Sequence, residues 1–193
     1  VRELMQQFNA APGSRGLYEP LFFDGPAERG GWVGRIAEVL NSTWPEEIER
    51  EVAELREQGI KAIGIIGMGG ESSIIGPSSE TLINISSTDP AKFKRLFGRL
   101  REQGIDLSTI HWFVVSKSGS TTETLSNDAY LKFAYIHNEF YEGLRLDPRA
   151  HITYVTDPGT RMKQQRQAAG FTVKHRELRD QTTIGGRNTL ANY

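Results

Sequence analysis

The sequence predicts an α/β domain, a three-layer sandwich on a mostly parallel five-stranded sheet, and three observations lead there. Short apolar runs recur without polar alternation, as strands buried on both faces require. Helical patterns separate them, and the polar connections are short.

Taken in order, the chain opens with a stretch from Val1 to Gly31 broken by Pro12, Gly13, Gly16, Pro20, Gly25, Pro26, Gly30 and Gly31. Such punctuation predicts a loop-rich arm over residues 1–31, with the domain proper over 32–193. Val33, Ile36, Val39 and Leu40 give a short helical spacing between Trp32 and Asn41. Ser42 or Thr43 can cap the next helix, where Pro45 loses no needed N–H and Glu46 and Glu47 favour the positive end of the dipole. That helix should run to about Gln58 and stop at Gly59.

Ala62 to Ile66 reads as the first strand, and Leu82–Ile85, Trp112–Val115, Ile152–Val155 and a weaker Phe171–Val173 as the others. Helices are expected over Pro90–Glu102, with Asp89 as cap, over Thr121 to about Gly143, and over Pro158–Ala169. Ligands of open parallel sheets bind beyond the carboxyl ends of the strands, so the polar turns there are the places to look.

Composition removes several function classes. The 24 acidic and 23 basic residues nearly cancel, which gives no whole-chain field for nucleic acid or a membrane surface. With no Cys, disulfides and thiolate metal sites are impossible, and a small ligand and a cytoplasmic setting are expected. No apolar run approaches a bilayer span. The chain starts at Val1 and stops at Tyr193 just after IGGRNTLANY, so a piece of a longer protein is expected.

Strand Trp112–Val115 runs into Ser116, Lys117, Ser118, Gly119, Ser120 and Thr121, and a helical pattern follows at once. A helix N-terminus offers unpaired N–H groups and partial positive charge, and the four hydroxyls among those residues add donors suited to a phosphate. Gly119 would let backbone approach closely, and no acid precedes Glu123. The plain alternative is a capping box between Ser120 and Glu123, which needs no ligand but uses only two of these residues.

Gly67, Met68, Gly69 and Gly70 make a second turn, after the first strand. A dinucleotide fingerprint fails there, because Ser72 stands where Gly or Ala is needed and Asp89 would have to be the acidic partner. Asp157, Pro158 and Gly159 close the fourth strand, and Ile184–Leu190 reads IGGRNTL.

SKSGSTTET resembles the phosphate-binding signature of sugar isomerase (SIS) domains, and in this order the three motifs resemble the glucose-6-phosphate isomerase (phosphoglucose isomerase) family over about Trp32 to Tyr193. The resemblance implies an SIS-type, flavodoxin-like domain, the first of two. It puts the substrate phosphate on Ser116, Ser118 and Thr121 with Lys117, and on Ser72 or Ser73 of a GxGGS-like turn in which Glu71 replaces the first serine. Gly69, Gly70, Glu123 and Gly186 would line the substrate site. Arg187 of the GGR signature would stabilise the enediolate, with Asn188 where the family has an aromatic residue.

STDPAKF, ending at Phe93, is similar to the version fused to transaldolase. The base and the ring-opening histidine belong, in this family, to a second SIS domain, and His111, His137, His151 and His175 match no such motif. The implied enzyme is a cofactor-free, metal-free aldose-ketose isomerase, a homodimer at full length, and the isolated chain should turn over little. Two rivals share the serine loop: a non-catalytic sugar-phosphate sensor module and the isomerase half of an amidotransferase-linked hexosamine enzyme.

Overall fold

The computed structural model describes residues 42–68, 81–137 and 146–174. They fall in two compact units that divide between Arg50 and Glu51. In the first unit, Ser42 and Thr43 both take part in starting helix α1 (Trp44–Glu57). The Trp44 N–H donates to Ser42 Oγ at 3.1 Å, and the Thr43 hydroxyl donates to Glu47 Oε1 at 2.6 Å.

In the second unit, α1 ends at Gly59, whose φ of 83° is the left-handed value that a C-terminal stop needs. The elements that follow are β1 (Ala62–Ile66), β2 (Leu82–Ile85), α2 (Pro90–Glu102), β3 (Ile110–Val115), α3 (Thr122–His137), β4 (Ile152–Val155), α4 (Arg161–Ala168) and β5 (Thr172–Lys174). The strands form one sheet in the order β2-β1-β3-β4-β5, and every pairing is parallel.

That order makes the fold doubly wound with a flavodoxin-like strand arrangement. The chain moves the same way along the sheet from β2 through β3 and β4 to β5, so right-handed crossovers put α2, α3 and α4 on one face. The core lies between them and the sheet: Ala62, Ile66, Ile83, Ile110, Trp112, Val114, Ile152 and Tyr154 meet Phe93, Phe97, Leu100, Leu131, Ala134, Tyr135 and Met162. On the opposite face Lys174 of β5 pairs with Glu51, in the part of α1 that belongs to this unit.

Several boundaries differ from expectation, each for a local reason. Helix α4 does not start at Pro158, because Gly159 takes φ 81°; Thr160 becomes the N-cap and accepts from the Lys163 N–H at 3.2 Å. β3 starts at Ile110, two residues early, since Asp106 caps a short 3₁₀ turn over Leu107–Thr109 that feeds directly into it. β5 is shifted by one residue, to Thr172–Lys174. Asp89 caps α2 as the sequence suggests, accepting from the Ala91 N–H at 2.9 Å.

The N-terminal arm, the expected helix over 32–41 and the part of the helix expected from Thr121 that lies beyond His137 are outside the described residues. No helix among the described residues is long and apolar enough to cross a membrane.

Candidate functional site

In a 2-1-3-4-5 sheet the crevice opens where the strand order reverses, between β1 and β3. The Ser116–Thr121 loop leaves β3 at that point. Gly67 and Met68 leave β1 beside it, but Gly69, Gly70, Ser72 and Ser73 lie outside the described residues, as do Glu71, Gly186, Arg187, Asn188 and His175.

The loop is a turn pinned at both ends. The Ser116 N–H donates to the Val155 carbonyl at 3.0 Å, and the Gly119 N–H donates back to the Ser116 carbonyl at 3.2 Å. Ser116 is 3% exposed, and its hydroxyl lies 3.2 Å from that of Thr121, which immediately precedes α3. Of two paired hydroxyls only one donates to the other, so one O–H stays free for a ligand.

Lys117 and Ser118 are exposed, and the Ser120 hydroxyl and N–H both donate to Ser118 Oγ, at 2.9 and 3.2 Å. Ser120 is therefore not the cap of a Ser120–Glu123 box: α3 begins at Thr122, one residue too late for that register. Glu123 is exposed in the first turn, where a carboxylate favours the helix dipole.

Sequence reasoning missed how the β4–α4 turn holds this loop. The Lys117 carbonyl accepts from the Asp157 N–H at 3.3 Å and from the Thr156 hydroxyl at 3.4 Å. The Thr156 and Thr160 hydroxyls lie 3.1 Å apart, and Thr160 Oγ1 donates to the Asp157 carbonyl at 3.1 Å. In a trans peptide C=O and N–H point oppositely, so anchoring the Lys117 carbonyl on this turn aims the Ser118 N–H away from it.

Gly119 has a packing reason beside the one its sequence position suggests. Its φ is 63°, and a Cβ there would lie 2.6 Å from Met162 Cβ and 3.1 Å from Thr160 Cβ. The glycine allows close packing against α4. The two threonines flanking Asp157, Pro158 and Gly159 were the readable signal for this second wall.

A buried charge cluster, also unread in the sequence, joins α3 to α4 and β4. Asp128 is fully buried; its Oδ1 accepts from the Tyr154 hydroxyl at 2.6 Å, and its Oδ2 accepts from Lys132 Nζ at 2.7 Å and Arg166 Nη2 at 2.8 Å. The Arg166 guanidinium also lies over the Tyr154 ring, 5.2 Å from its centroid. Burial, with the Asp128 charge beside it, pushes the Tyr154 hydroxyl pKa up, so Tyr154 remains a donor.

The described histidines are structural or exposed. His137 is exposed against the Phe133 ring, and His151 stacks on Tyr135. His111 is buried on β3 with Nε2 2.9 Å from the Thr153 hydroxyl, and burial lowers its pKa to about 4, with Glu51 opposing and His151 and Lys174 assisting. Its ordinary value in an unfolded chain is 6.5, so between about 6.5 and about 4 the unfolded state binds the extra proton. Stability should thus be full above pH 6.5 and fall by roughly 3 kcal/mol as pH drops through this window. Urea denaturation at pH 7 and 4.5, on the native chain and on His111→Gln, checks it; an equal pH loss in both would exclude His111 as the cause.

A cavity of about 640 Å³ lies elsewhere, lined by Ile136, Leu146, Pro148 and Phe171 among others. These residues sit at the end of α3 and just before β4 and β5, at the amino ends of the strands. Its charged residues Asp147 and Arg149 engage each other at 2.8 Å, and nothing there matches the polar turns at the other end. Among the described residues no group of three or more His, Asp or Glu could hold a metal ion.

Fold and loop together define a doubly wound α/β domain carrying a serine- and threonine-rich strand-to-helix turn at its topological switch point. No family model matches the chain. It is 35% identical over 83 residues to the glucose-6-phosphate isomerase of Protochlamydia amoebophila (strain UWE25), a stretch covering 43% of this chain and 14% of that protein. The crystal structure of a glucose-6-phosphate isomerase from Chlamydia trachomatis D/UW-3/Cx is similar at TM-score 0.52 and 28% identity, over 80% of this chain and 28% of that one.

The crystal structure of a hypothetical protein from Thermus thermophilus has TM-score 0.54 at 21% identity, over 98% of this chain and 45% of that one, a likeness of fold alone. The chain is related to the glucose-6-phosphate isomerase family. Its matched part spans less than a third of either isomerase.

Proposed function

We infer that the chain is the sugar-phosphate-binding SIS domain, over residues 32–193, of an isomerase that interconverts glucose 6-phosphate and fructose 6-phosphate through an enediol. The observation that carries this reading is the hydroxyl-rich turn at the β1/β3 switch point, in a chain related to that family. The phosphate is held by Ser116, Ser118 and Thr121, by Lys117 and by the N–H groups opening α3, with Ser72 or Ser73 closing the other side. Gly69, Gly70, Glu123 and Gly186 border the sugar.

Arg187 stabilises the negative oxygen that develops as a proton moves between C2 and C1. The base for that transfer and the ring-opening group come from a further domain, and the complete enzyme works as a cytoplasmic homodimer without a cofactor. Binding thus belongs to this chain and turnover to the whole protein.

The test is calorimetry with fructose 6-phosphate on a Ser116→Ala/Thr121→Ala double variant. The hydroxyl of the pair that keeps its O–H free supplies one charge-assisted hydrogen bond, and losing it at roughly 1.5–3 kcal/mol predicts about ten- to a hundredfold weaker binding. Unchanged affinity would remove the phosphate from this loop.

A further inference from the structure

Two polar side chains of α3 have no role in the fold or the loop described above. Thr124 is 1% exposed and Asn127 is 2% exposed, and Thr124 Oγ1 and Asn127 Nδ2 are buried without a hydrogen-bond partner among the described residues. Burying such groups unpaired forfeits their hydration, so two on one helix require an explanation.

Their position supplies it. Residues three apart are neighbours on a helix surface, and the pair extends the buried stripe of Leu131 and Ala134 toward the N-terminus of α3. That helix packs on β1 and β3. A crossover helix runs antiparallel to its strands, so its first two turns lie at their carboxyl ends, where the order reverses. Thr124 comes three residues after Thr121, one helical turn from the hydroxyl loop, and Asn127 one turn further.

The amide Nδ2 can only donate, whereas the hydroxyl can donate and accept. They suit an uncharged oxygen-bearing group better than a second anion. We propose that Thr124 and Asn127 form a polar subsite that receives a hydroxyl or carbonyl oxygen of the sugar, and so distinguishes a hexose phosphate from free phosphate. This rests on the phosphate reading of the Ser116–Thr121 loop and adds the sugar's own contacts to it.

The experiment titrates the 193-residue chain with inorganic phosphate and with fructose 6-phosphate, followed by ligand-observed NMR. It uses Thr124→Val, Asn127→Leu and the double variant, with thermal melts of each. Replacing unpaired polar groups by apolar ones of similar shape should leave the melting temperature unchanged or higher. Inorganic phosphate affinity should stay within about twofold, while fructose 6-phosphate binding weakens about tenfold, or roughly 1.4 kcal/mol.

Equal affinity of native and variant chains for fructose 6-phosphate would overturn the subsite, as expected if the two groups serve only a structural water. So would a parallel loss of both ligands. If Asn127→Leu does not fold, the near-isosteric Thr124→Val decides alone. A native chain that binds neither ligand would instead fail the phosphate reading itself.

Discussion

Asp128→Ala is expected to destabilise the chain by about 3 kcal/mol or more, measured by urea denaturation at pH 7. The carboxylate is fully buried and accepts from three donors on three elements: Lys132 within α3, Arg166 on α4 and Tyr154 on β4. Truncation leaves two cationic groups and a phenol facing one another across a cavity. The Lys132 and Arg166 side chains keep 18% and 22% exposure, which lets water take part of the load and sets the estimate at the low end of the range for a broken buried pair.

Lys132→Met or Arg166→Met should each cost less, about 1–2 kcal/mol, because Asp128 then keeps one cation and the Tyr154 hydroxyl. If Asp128→Ala costs no more than either, the cluster is not the joint its geometry describes. The same variant should weaken phosphosugar binding, since α3 begins at the hydroxyl loop and α4 follows the Thr156–Thr160 turn that braces it.

How far the sequence could lead depended on whether a feature is local. Ala62–Ile66 and Leu82–Ile85 are strands with the expected bounds because short runs rich in Ile, flanked by turn residues, suit a buried parallel sheet. Pro90–Glu102 was readable for a similar reason, since Asp89 and Pro90 act within their own turn. The hydroxyl loop was visible because its chemistry lies in consecutive residues.

What stayed hidden joins residues distant in the chain. Asp128 and Lys132 have ordinary (i, i+4) pair spacing, which on most helices means a solvated surface pair; only Tyr154 and Arg166 show that this one is buried. Thr156 and Thr160 mark a polar turn in the sequence, but nothing local shows that the Thr156 hydroxyl meets a carbonyl 39 residues away. Gly119 was legible as a glycine that mattered, but its partner, Met162, was not.

Gly64→Ala should cost about 3 kcal/mol, close to the most that one added methyl usually does in a core. Gly64 stands opposite Trp112 in the β1–β3 register, on the face packed by α2 and α3, and the indole lies across the space where a Cβ would go. A Cβ there would fall well inside contact distance of Trp112 Cδ2, Cε3 and Cζ3. The ring has little freedom to retreat: it is fully buried, it packs against Phe97 at a centroid distance of 6.4 Å, and its Nε1–H donates to the Tyr135 hydroxyl at 3.0 Å. A methyl group must therefore push β1 from β3 or break the indole's hydrogen bond. Either change reaches the switch point, because these two strands carry both turns of the candidate site.

Steric conflict makes a sharper demand than mere loss of stability. Trp112→Leu alone should destabilise by about 3 kcal/mol through the cavity that it leaves. If the methyl of Gly64→Ala occupies part of that cavity, the double variant will be no less stable than Trp112→Leu alone. Simple addition of the two losses in thermal or urea unfolding would mean that the glycine serves backbone conformation and not the packing of the indole.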